Sequence, residues 1–102
     1  MAAVKNVEKP IENLMDAVGM VDWVNYGKKI EAISTAIGDG IASRSLTAGE
    51  LTTMKAIIDS IRDAAVQDRR LSPPMKETIK EWAFGFTRGI NSLSAIPALV
   101  QA

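Results

Sequence analysis

The sequence predicts an all-α fold, an up-down helical bundle, on three observations. Apolar residues recur at spacings of three and four along most of the 102-residue chain, the signature of helices with one buried face. No run alternates with period two, as a half-buried strand would require. Cap-and-start signals stand at even intervals and leave about 20 residues for each long helix, roughly 30 Å of length.

A short leading helix is expected over about residues 10–19. Pro10 suits a first turn, where its missing N–H costs nothing. Ile11, Leu14, Met15 and Val18 then form one apolar face, and Gly19 ends it. Residues 1–9 are left as an N-terminal extension. The second helix is expected over about 21–43. Asp22 is a good N-cap, and Trp23, Tyr26, Ile30, Ile33, Ile37 and Ile41 form its stripe. Gly38-Asp39-Gly40 has the composition of a turn and opposes a helix. Ile41 nevertheless stays in phase, so the helix is expected to continue to about Ser43.

The third helix is expected over about 48–67. Thr47-Ala48-Gly49-Glu50 reads as a capping box, in which the hydroxyl and the carboxylate each satisfy a free N–H. Leu51, Met54, Ile57, Ile58, Ile61 and Ala65 follow as its stripe. The fourth is expected over about 73–94, capped by Ser72, with Pro73 and Pro74 in its first turn. Its stripe is Met75, Ile79, Trp82, Phe86, Ile90 and Leu93. Pro97 lies beyond its end, and 95–102 form an apolar C-terminal extension. Short connections force antiparallel neighbours. The expected product is one helical domain over 1–102, with three long helices and a short leading one.

Three of the starts share a register. Val21-Asp22, Leu46-Thr47 and Leu71-Ser72 are each an apolar residue followed by a cap, and each lies 25 residues after the last, with Ile96-Pro97 on the same spacing. A helical repeat would give this pattern. Helices of equal length, each opened by a staple and a cap, give it too, and the few shared identities favour that explanation.

Composition limits function. Twelve Lys and Arg balance twelve Asp and Glu, and there is no Cys and no His. The balance also holds segment by segment, so no basic field exists to hold a nucleic-acid backbone, and no nucleic-acid partner is expected. The absent residue types remove disulfides, the usual zinc sites and the commonest general base. Glu77 with Glu81, and Asp59 with Asp63, lie one helical turn apart among Lys and Arg, the pattern of a solvated surface. Ser92 with Lys80 has no supporting spacing. Gly38-Asp39-Gly40 lacks the Gly-Lys-Ser/Thr of a phosphate loop and the Glu of a calcium loop. No catalytic residue, metal site, cofactor or small-molecule ligand is therefore expected.

No apolar run approaches the roughly 20 residues of a membrane span, and the N-terminus lacks the apolar segment of a secretory signal. A cytoplasmic protein or one assembled into a particle is expected. Both charge signs mix on every helix, which favours core packing over membrane adsorption.

A few positions are out of place on a solvated surface. Phe84 is two residues from both Trp82 and Phe86, so at about 100° per residue it points away from their stripe. Arg88, one turn on, is placed to cover its ring. Val24 is off the stripe of the second helix. Ile96, Leu99 and Val100 make the tail apolar, to dock on its own bundle or on a neighbouring copy. Phe84, Arg88, Val24, Ile96, Leu99 and Val100 are thus the candidate protein interface. The expected function is a non-enzymatic structural or interaction subunit, acting with itself or a protein partner, a virion component being one concrete version. The alternatives are a small regulator of one target protein and, more remotely, a carboxylate-based enzyme.

Overall fold

Each expected cap forms in the computed structural model, which describes residues 2–101 and the side chains of residues 4–101. The Asp22 carboxylate accepts from the Asn25 N–H at 3.1 Å, the Thr47 hydroxyl from Glu50 at 3.2 Å, and the Ser72 hydroxyl from Met75 at 3.4 Å. The apolar residue before each cap packs inward, with Leu46 and Leu71 buried and Val21 against the core. The 25-residue spacing is therefore a repeat of one local device. It does not recur at Ile96-Pro97, where no helix starts.

Four α-helices follow one another: α1 (Ala2–Leu14), α2 (Lys28–Ser43), α3 (Ala48–Val66) and α4 (Pro73–Ser94). The up-down bundle is the fold the stripes predict. The leading element differs. α1 starts at Ala2 and continues through a π turn, Met15–Gly19, so it is a full-length member of the bundle. Residues 2–9 are not an extension, and Pro10 lies inside the helix instead of opening it. Val7, Ile11, Leu14 and Val18 are buried along its inner face.

A proline inside a helix leaves the carbonyl four residues earlier without its partner and usually costs about 3 kcal/mol. The carbonyl concerned is that of Asn6, and it lies against Gly89 of α4: a Cβ built there would stand 2.5 Å from the Asn6 oxygen. Gly85, one turn earlier, faces the Pro10 ring, with its own added Cβ 3.6 Å from Pro10 Cγ. The helix continues past Pro10 in the place where α4 has no side chains to hold it off. That close approach makes α1 with α4, and then α3 with α4, the tightest pairs of the bundle.

A second π turn, Trp23–Gly27, lies between Asp22 and α2. Such turns close i→i+5 bonds and insert about one residue relative to an α-helix. The insertion shifts Trp23 out of phase with Tyr26 and Ile30. Trp23, expected in the buried stripe, is 47% exposed instead, while Tyr26, Ile30, Ile33 and Ile37 stay buried. Gly19 and Gly27 meet where the two π turns cross; a Cβ on Gly19 would sit 3.5 Å from Gly27 Cα.

Gly38-Asp39-Gly40 is helical throughout, so it is no turn. Gly38 is open, and Gly40 leaves room for the returning Leu46. α2 stops at Arg44, whose φ of 54° is left-handed. The Ser45 N–H reaches Gly40 O at 2.9 Å and the Arg44 N–H reaches Ile41 O at 3.2 Å. These two bonds make a Schellman stop with an arginine where glycine is usual.

The tail closes the same end of the bundle. β1 (Leu46–Thr47) and β2 (Val100–Gln101) pair in parallel, Leu46 with Val100 and Thr47 with Gln101. Gln101 also donates to Arg44 O at 3.0 Å. The capping box is altered here. The Glu50 carboxylate accepts from the Thr47 hydroxyl at 2.9 Å, while Thr47 itself belongs to the strand pair. One core, centred on Phe86, Leu14, Ile30, Ile58, Ile79 and Ile90, joins all four helices. Full burial of each such side chain contributes about 1.5–3 kcal/mol.

Candidate interaction surfaces

At one end of the bundle the α1–α2 turn carries three large apolar side chains outward. Met20 is 89% exposed, Val24 71% and Trp23 47%. The Trp23 indole folds over Gly27, where any Cβ would collide with it. The turn is braced from its other side. Arg70, in the α3–α4 connection, donates to Asp68 at 2.7 Å and to Asp22 at 3.0 Å. The Tyr26 hydroxyl donates to Asp68 at 2.8 Å.

This cluster orders the charges around it. Hydrogen bonds from Arg70 and Tyr26 hold the Asp68 carboxyl well below the usual carboxylate range. Bonds from Asn25 and Arg70 lower Asp22 as well. Burial and the bond to Asp68 raise the Tyr26 phenol. By pattern alone the doublet Arg69-Arg70 looks like an ordinary solvated helix end, but Arg70 ties two connections together across 48 residues of chain. The exposure of Met20 and Trp23 was not expected from the sequence, because the stripe rule assumes a uniform helical period.

On α4, Phe84 is 63% exposed and points off the buried stripe. The Arg88 guanidinium lies over its ring, 5.8 Å from the centroid. The ring borders a hollow shared with Arg62, Val66 and Lys80.

The apolar tail takes the first of its two expected fates, at least within one chain. Ile96 is half-buried, Leu99 packs against the core and Val100 is 7% exposed in the strand pair. Val100 thus offers a partner no surface in this arrangement, because its own β1 has already covered it. Val24 on the second π turn, and Phe84 and Arg88 on α4, do face outward.

One apolar depression is not singled out by the sequence. A shallow furrow of about 710 Å³ runs between α2 and α3. Its floor is Ile33, Met54 and Ile61, which are buried, and its walls are the exposed Ala32, Ala36, Ala56 and Ser60 with half-buried Ile57. Lys29 and Glu50 are its charged lining residues. A smaller hollow bounded by Asn25, Tyr26 and Ala64 continues it past Lys29. Small residues at helical spacing on both walls carried the signal, but alanine reads equally well as surface or as core.

The residues weighed for chemistry are not drawn into one cluster, and Lys80 and Asp63 border the hollow beside Phe84. Lys80 pairs with Glu77, and Arg62 with Asp59 and Asp63, all as surface contacts. Ser92 is twelve residues from Lys80 on the same helix, about 18 Å along its axis. Among the described residues no three Asp or Glu gather as a metal site, and no helix is long and apolar enough to cross a membrane. Compared with known proteins, the chain matches no family model, no curated protein and no solved structure.

Proposed function

We propose that the chain is a non-enzymatic structural or interaction subunit that works through helix-face contacts in a homo- or hetero-oligomeric assembly, for which a virion component is one concrete setting. The observation that carries this reading is the α2/α3 furrow. A chain whose four helices share one core leaves an apolar furrow open to water between α2 and α3. Grooves of this kind bind an amphipathic helix through its apolar face.

Native mass measurement of the untagged protein from its source tests the reading. The expected result is a complex larger than the 11.0 kDa chain, lost when Ala36→Glu places a charge on the furrow wall. A chain that stays alone in every extract and at every concentration would overturn it.

One observation favours the second reading, a small regulator of a single target. Met20, Trp23 and Val24 form a braced apolar knob, and a rigid aromatic anchor entering a pocket is a common hot spot. On that reading Trp23→Asp abolishes capture of one partner and leaves any self-association untouched. Phe84→Asp makes the same comparison for the α4 face.

A further inference from the structure

We infer that the occupant of the α2/α3 furrow is a second copy of this chain, placed by a two-fold axis perpendicular to α2, with Lys29 of each copy facing Glu50 of the other. The inference rests on the helix-face reading above and specifies its partner.

The charges at the ends of the furrow carry the argument. Lys29 stands at the start of α2 and Glu50 at the start of α3. The two helices run in opposite directions, so these residues mark opposite ends of one channel. Between them the lining is uncharged: Ala32, Ile33 and Ala36 on α2, and Thr53, Met54, Ala56, Ile57, Ser60 and Ile61 on α3. A foreign helix satisfies such ends only if it happens to carry the opposite charges at the matching separation. A second copy does so by symmetry, because a two-fold operation exchanges the ends of the furrow.

The shape of α2 agrees. Its outward ridge beside the furrow is Ala32 and Ala36, one turn apart and both exposed. A ridge this slim enters the furrow of another copy, where longer side chains would hold it off. With α2 antiparallel to its symmetry mate, it lies parallel to the mate's α3. The start of α2 then meets the start of that α3, which brings Lys29 to Glu50. Ile57, near the middle of the channel, packs on the incoming ridge. Each copy offers the same ridge and the same furrow, so the contact closes as a dimer and does not propagate.

Sedimentation of the full chain over a wide concentration range, with charge exchange, tests this. The wild type is expected to approach twice 11.0 kDa as concentration rises. Lys29→Glu and Glu50→Lys should each raise the dissociation constant about tenfold, since like charges then face each other. The double variant should return to within about threefold of the wild type. Glu50→Lys also removes the bond to Thr47, but the double variant shares that loss, so rescue isolates the charge pair. Ala36→Glu, at an exposed position, should leave the helical signal and melting intact and the chain monomeric.

A wild type that never exceeds 11.0 kDa, or a double variant no better than the single ones, overturns the two-fold pairing. If Ala36→Glu then still releases a foreign partner, the broader reading stands without it. If Ala36→Glu changes neither assay, both fall.

Discussion

Two seams run the length of this bundle, and small residues line both. Where α1 meets α4 the small residues are Gly85 and Gly89, and the backbones touch. Where α2 meets α3 they are Ala32, Ala36, Ala56 and Ser60, and a furrow remains. Glycine lets a carbonyl lie directly on the facing helix, so the seam is closed from within the chain. Between α2 and α3 no such backbone contact forms, and an apolar furrow remains. Residue size at a seam thus bears on whether the seam closes within the chain or stays open.

The closed seam is the easier to break. Gly89→Ala drives a Cβ against the Asn6 carbonyl, which is backbone and has nowhere to go, since Pro10 fixes the next turn. A loss of about 2 to 3 kcal/mol is expected from overpacking, read as a lower denaturant midpoint at unchanged slope. A smaller change of opposite sign is expected at the connection that leads into the open seam. Arg44→Gly removes a left-handed non-glycine residue and should raise stability by about 1 kcal/mol. Gly85→Ala should gain about 0.5–1 kcal/mol, because its Cβ meets Pro10 at an ordinary distance and alanine is the better helix residue. If Gly85→Ala were as damaging as Gly89→Ala, the closeness of α1 would not centre on Asn6.

These seams were unequally legible in the sequence. The stripes of α3 and α4, and their caps at Thr47 and Ser72, were readable because uniform period and local capping chemistry fix them without tertiary help. α1 was misjudged at Pro10. Val4, Val7, Ile11, Leu14 and Val18 continue the stripe through the proline, but the compensating partner, Gly89, lies about 80 residues away and no local rule connects them. The exposure of Trp23 was hidden for a similar reason, since no local rule marks the π turns on either side of Asp22 that rotate it. Phe84 and Arg88 needed only helical geometry and were placed correctly on the outside. The furrow stayed hidden because exposed alanines look the same on a free surface and on a seam.

The brace at the Arg70 end ties both seams together, and it should announce itself through pH. Asp22 and Asp68 have folded-state values held below the ordinary 3.8. A depressed carboxyl contributes stability that is complete above its unfolded value and lost as pH falls through and below it. The melting temperature should therefore be flat near neutrality and decline below about pH 4. Arg70→Gln should lower it modestly at neutral pH, since the guanidinium is half-exposed, and the gap from the wild type should narrow in acid. At the other extreme Tyr26 is raised above 10.0. Its contribution is present below that value and fades as pH climbs past it, so Tyr26→Phe should flatten the alkaline limb.

The smallest effect on the folded chain should come from the open seam itself. Ala36→Leu adds bulk to a wall that faces water, so at concentrations low enough to keep the chain monomeric its stability should change by less than about 0.5 kcal/mol. Equal insensitivity at high concentration would mean that nothing enters the furrow. The expected outcome is a split: an unmoved melting temperature in dilute solution and weakened association in concentrated solution. That split separates the two seams, because no dilution rescues Gly89→Ala, whose collision is carried within a single chain.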